Sequence, residues 1–72
     1  MNSNLKNTVK NIADRKKIDW SSFRADKVRE IERDLDNGKI SIDDTIGRLR
    51  AEFGSDLGKY DYQEIKTALE RR

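Results

Sequence analysis

Seventy-two residues make one domain, residues 1–72, near the lower limit for a self-sufficient hydrophobic core. Charged residues are 42% of the chain yet cancel to a net +2, which argues against a strongly basic nucleic-acid protein. The absence of cysteine and histidine excludes disulfides, thiolate metal sites and the usual neutral-pH general base.

No apolar run approaches the roughly 18 residues of a membrane span, and Met1-Asn2-Ser3-Asn4 lacks the apolar stretch of a secretion signal. A cytoplasmic chain without membrane contact is therefore expected. Its charge is unevenly placed. Residues 1–33 carry nine Lys or Arg against five Asp or Glu, whereas residues 34–72 carry seven against nine.

Residues 3–17 show the weakest helical pattern. Leu5, Val9 and Ile12 share a face with Ala13 beside them, but Asn2, Asn4, Asn7 and Asn11 compete with the backbone for hydrogen bonds. This segment, within 1–17, is expected to pack loosely or fray. Arg15-Lys16-Lys17 would close it with positive charge at the negative end of the helix dipole.

The centre of the chain reads as a helical hairpin, about 20–36 and 42–53. Asp19 is the expected N-cap, with Ile18 and Phe23 as a hydrophobic staple. Trp20, Phe23, Val28, Ile31 and Leu35 are assigned to the buried face. Asp26–Arg29 and Glu30–Arg33 are expected surface pairs. Asn37-Gly38 supplies residues tolerant of a left-handed backbone, where helices commonly stop.

Ser41 with Asp44 reads as a shortened capping box for the next helix, and Asp43 adds charge at its positive dipole end. Ile42, Ile46, Leu49 and Phe53 form its apolar face, Asp44–Arg48 is an expected pair, and Gly54 ends it. Gly47, inside the helix, reads either as a point of close approach or as a tolerated surface glycine.

Gly54 to Lys59 is loop-like in composition. Asp61 then reads as the N-cap of a last helix, with Glu64 completing a capping box and Tyr60 with Ile65 forming a staple. Tyr62, Ile65 and Leu69, supported by Ala68, make its apolar face, and Arg71 and Arg72 follow at its end. With no proline and no strand pattern, the chain reads as all-α. It is a small bundle of three to four short helices built on the central hairpin.

Chemistry-bearing patterns are sparse. Asp and Glu fall on helix starts and charged faces, so Asp43-Asp44 reads as capping rather than as an acid/base pair. The glycines punctuate helices and form no phosphate cradle. Aligning Gly38 with the sixth position of a calcium loop puts Arg33 first, Leu35 third and Asp44 twelfth, and a cation in first place disqualifies it. No metal, cofactor, small-molecule substrate or enzymatic activity is expected.

The run from Val28 to Asp44, with Leu35, Gly38, Ile40-Ser41 and Asp43-Asp44, resembles the helical hairpin of SHOCT-type short oligomerisation domains. That resemblance covers under half the chain and implies self-association or partner docking. Leu49-Arg-Ala-Glu-Phe-Gly followed by Ile65-Lys-Thr-Ala-Leu resembles the two helices of a bacterial winged helix-turn-helix, implying that the last helix is a recognition helix.

Two functions follow as expectations. The first is a non-catalytic protein-interaction module, a small regulator or adaptor that binds a protein partner or forms a homodimer. Trp20, Leu57, Tyr60 and Tyr62 are its candidate contacts, lying at helix starts or in the loop, where burial within one chain is least assured. The alternative is nucleic-acid binding through the basic N-terminal part, where Lys6, Lys10 and Lys17 share one side and Arg15, Lys16 and Arg24 lie nearby.

Overall fold

The computed structural model describes residues 4–71; Met1, Asn2, Ser3 and Arg72, named above, lie outside them. Four α-helices follow in order: α1 Leu5–Lys16, α2 Ser22–Asp36, α3 Ile42–Phe53 and α4 Lys59–Arg71, with a 3-10 turn at Gly54–Asp56 between the last two. The chain is an all-α bundle. Each helix packs against its neighbours in sequence, and α4 closes the ring on α1. Short connections make successive helices antiparallel, as pairing between opposite ends of neighbours confirms: Arg24 with Asp56, Arg48 with Asp34 and Lys16 with Asp61.

The core fills the middle of the ring. It takes Leu5, Val9 and Ile12 from α1, Val28, Ile31 and Leu35 from α2, Leu49 and Phe53 from α3, Leu57 from the connection, and Tyr62, Ile65 and Leu69 from α4. α1 is therefore a packed member of the bundle. The backbone N–H of Lys6 in its first turn donates to Glu32 Oε2 of α2 at 3.0 Å, so a neighbouring helix satisfies a donor that α1 cannot satisfy itself.

The helix ends follow local chemistry. Lys39 N–H donates to Asp34 O and Gly38 N–H to Leu35 O, the paired bonds of a Schellman stop, with Gly38 at φ +75°. The same two spacings recur where α1 ends, Ile18 N–H to Ala13 O and Lys17 N–H to Asp14 O, but the left-handed residue there is Lys17. Ser41 and Asp44 form the expected reciprocal capping box, at 3.0 and 3.3 Å.

Several expectations need correction. α2 starts later than expected: Ser21 is its N-cap, its Oγ accepting from Arg24 N–H at 3.2 Å, and Asp19 and Trp20 precede the helix. Phe23 is 65% exposed rather than buried. Five residues separate it from Val28, a rotation of about 140° at 100° per residue, which carries it off the buried face. On α3, Thr45 is fully buried, while Ile42 and Ile46 are only half-buried. Thr45 is tolerated in the core because its Oγ1 donates to Ser41 O at 2.9 Å.

The start of α4 is displaced by one turn. Helix geometry begins at Lys59, and Asp61 reaches back to accept from Gly58 N–H at 2.8 Å. Asp61 is thus the third residue of α4, and Glu64 is free to pair with Arg15 of α1 at 3.0 Å. Arg48 likewise reaches Asp34 on α2 at 3.2 Å instead of Asp44 on its own helix. The expected Asp26–Arg29 and Glu30–Arg33 pairs are not among the ion pairs of the described residues.

Candidate protein-interaction groove

An open concave feature lies between α3 and α4. Three side chains of α3, Asp43, Ile46 and Arg50, and the bare backbone at Gly47 line it, because these positions recur at the three- and four-residue spacing of one helix face. α4 contributes Lys59, Tyr62, Gln63 and Lys66 by the same periodicity. The groove holds about 380 Å³. Gly47, the half-buried Ile46 and the buried Tyr62 ring line it together with the charged Asp43, Arg50, Lys59 and Lys66. A Cβ added at Gly47 would meet nothing within 4 Å, so Gly47 is the surface glycine of the two readings offered by the sequence.

Tyr62 is the anchor of the groove wall. Its phenol donates to Gly54 O at 2.7 Å, which ties α4 to the end of α3, and burial raises its pKa above the ordinary value. The Arg50 guanidinium lies 5.0 Å from the centre of the Tyr62 ring, a cation–π arrangement that holds its planar fork over the groove. Lys66 reaches Asp43 across the groove mouth at 3.4 Å. A shallower depression of about 600 Å³ lies on the other flank of α3, shares Asp43 and Gly47 with the first, and adds Lys39, Ile40, Asp44, Arg48 and Ala51.

The candidate contacts named from sequence fall in different places. Tyr62 lines the groove but is buried, with Arg50 lying over its ring. Leu57, the residue that follows the 3-10 turn, is buried in the core. Trp20 stacks on Phe53 at 6.4 Å with rings 15° apart, and Arg24 covers the same Phe53 ring at 4.9 Å. Much of Trp20 is thereby used within the chain. Tyr60 is 85% exposed, but it precedes Tyr62 by two residues and so turns to another face of α4. The four do not form one surface. Ile46, Gly47 and Arg50 were missed; the signal available for them was their spacing with Asp43 on one face.

The basic N-terminal residues are not a free row either. Lys10 pairs with Asp14 at 3.1 Å, Arg15 with Glu64 at 3.0 Å, Lys16 with Asp61 at 2.5 Å and Arg24 with Asp56 at 2.6 Å. Lys17 is exposed at the end of α1, and Lys6 is half-buried. Asp61, itself buried, carries a pKa below the ordinary carboxylate value because it accepts from Lys16 and from Gly58 N–H.

Among the described residues no group of three or more His, Cys, Asp or Glu side chains could hold a metal ion. No helix among them is long and apolar enough to cross a membrane. No strand is present among them, so the wing of a winged helix-turn-helix has no counterpart there. Comparison with protein-family models, with curated proteins and with solved structures finds no match.

Proposed function

We propose that this chain is a non-catalytic protein-interaction module, a small regulator or adaptor that works in the cytoplasm by docking a protein segment in the α3–α4 groove. The supporting observation is a groove in which the half-buried Ile46, the exposed backbone at Gly47 and the buried Tyr62 ring are joined by polar and charged side chains able to fix orientation. Elsewhere Asp44, Asp56, Asp61 and Glu64 sit in caps and ion pairs. Structural roles for these four carboxylates support the non-catalytic reading. Self-association is a form of the same reading, with a second copy supplying the segment.

The nucleic-acid reading has weaker support. Phosphate tracking needs a row of available cations, and four of the six candidates, Lys10, Arg15, Lys16 and Arg24, already face carboxylates.

A photocrosslinking side chain at Gln63, on the groove rim, compared with one at Glu30, exposed on α2, tests the proposal in cells of the source. The expected result is a protein adduct, to a partner or to a second copy, at position 63 and not at position 30. Equal labelling at both positions, nucleic-acid adducts, or no adduct at position 63 would overturn it.

A further inference from the structure

We infer that the segment docked in the α3–α4 groove is acidic, a peptide of a partner protein that sets an apolar side chain over Gly47 and carboxylates against Arg50, Lys59 and Lys66. This rests on the interaction-module reading and adds the chemistry of the partner. Three cations and one carboxylate, Asp43, line the groove. Neither Arg50 nor Lys59 has a carboxylate partner in the ion pairs of the described residues. Lys66 is held by Asp43 at 3.4 Å, but Asp43 is 83% exposed, so solvent screens that pair and an incoming carboxylate can replace it.

Arg50 is the specific element. Stacked on Tyr62 at 5.0 Å, its guanidinium loses little further freedom on binding, and its donor edge can take a carboxylate through two parallel bonds. Gly47 supplies the complementary apolar feature. With nothing within 4 Å of where its Cβ would stand, a partner side chain can approach the α3 backbone there. A nucleic-acid strand suits this groove less well, because Asp43 interrupts the cations at its mouth and phosphates need a continuous row.

The probe is a 16-residue helical peptide with two leucines four residues apart flanked by glutamates, and a second peptide with lysines in place of the glutamates. Each is titrated into the isotopically labelled full chain and followed by amide chemical shifts. The glutamate peptide should move the amides of Ile46, Gly47 and Gln63, weaken with added salt, and lose about tenfold in affinity in R50Q/K59Q, whose positions are exposed. Thermal melts of that variant confirm an intact fold.

Several outcomes overturn the inference. They are shifts mapping away from the groove, equal binding by the lysine peptide, no loss in R50Q/K59Q, displacement of the glutamate peptide by single-stranded DNA at lower concentration, and no binding of the glutamate peptide. Binding of the lysine peptide within the groove would leave the interaction-module reading standing while removing its acidic partner. Concentration-dependent sedimentation of the chain alone, abolished by the same variant, would assign the groove to a second copy and overturn the inference as well.

Discussion

Asp61 shows how much one side chain decides in a bundle this small. Its carboxylate accepts from Lys16 Nζ at 2.5 Å and from Gly58 N–H at 2.8 Å, so it joins the end of α1 to the start of α4 while capping α4. Because its folded pKa lies below the ordinary value of 3.8, the stability it contributes is fully present above that value. It is lost as pH falls through the lower, folded one. Denaturant titrations should therefore show an acid-side loss of stability beginning below about pH 4. Asp61→Asn should cost about 1–2 kcal/mol at pH 7, since the amide keeps the Gly58 bond but not the ion pair, and should flatten that loss. Lys17 makes the opposite point. It holds φ +59°, a left-handed conformation disfavoured for a residue with a Cβ, at a place where α2 uses Gly38. Lys17→Gly should raise the unfolding free energy by about 1 kcal/mol in the same titrations. The sequence identifies both residues as charged and near helix ends, but the tie between Lys16 and Asp61 spans 45 positions and no local pattern encodes it.

At the scale of elements, the sequence was informative about which segments are helical and less so about where they begin. The hairpin turn was legible because Asn37-Gly38 and Ser41 with Asp44 are chemically distinctive, and both motifs form as read. The starts of α2 and α4 differ from the sequence expectation for one shared reason: an aspartate and a serine or glycine compete for the cap, and propensity does not choose between them. Ser21 prevails over Asp19 because starting at Ser22 leaves Trp20 outside the helix, free to stack on Phe53 of α3. Asp61 acts from inside α4 because Lys16 of α1 holds its other contact. Tertiary contacts set the frame in both cases. The caps can be separated experimentally. Ser21→Ala should lower stability by about 1 kcal/mol, the usual effect of losing a side-chain cap. Asp19→Ala should change it by less than about 0.5 kcal/mol, because what Asp19 contributes is a backbone carbonyl accepting from Arg24. Thermal melts of the two variants side by side check this; the reverse order would restore Asp19 as the cap.

For the whole molecule, the question is whether the central hairpin could stand without α1. The groove could not be read from the sequence either, because it depends on how α3 and α4 pack, and that packing belongs to a closed ring. α1 completes the ring with Leu5, Val9 and Ile12, all at 0–1% exposure, against both α2 and α4. Its asparagines weaken it in isolation, yet three fully buried apolar side chains outweigh a few tenths of a kcal/mol per asparagine. Removing such a wall from a domain of this size opens the core faces of α2 and α4 to water, and a core this small carries little reserve. Ile12→Ala, which leaves every helix cap in place, should cost about 2–5 kcal/mol. Because that is comparable to the entire stability expected of such a domain, the variant should lose the helical signal at 222 nm cooperatively across all four helices at or near room temperature. Had α1 been a frayed appendage, the same substitution would leave the melting temperature unchanged and reduce the signal only by the share of one helix. Amide exchange in the unsubstituted chain gives the complementary reading: Val9 and Ile12 should be protected to the same free energy as Leu49 and Ile65, since they open only when the ring opens.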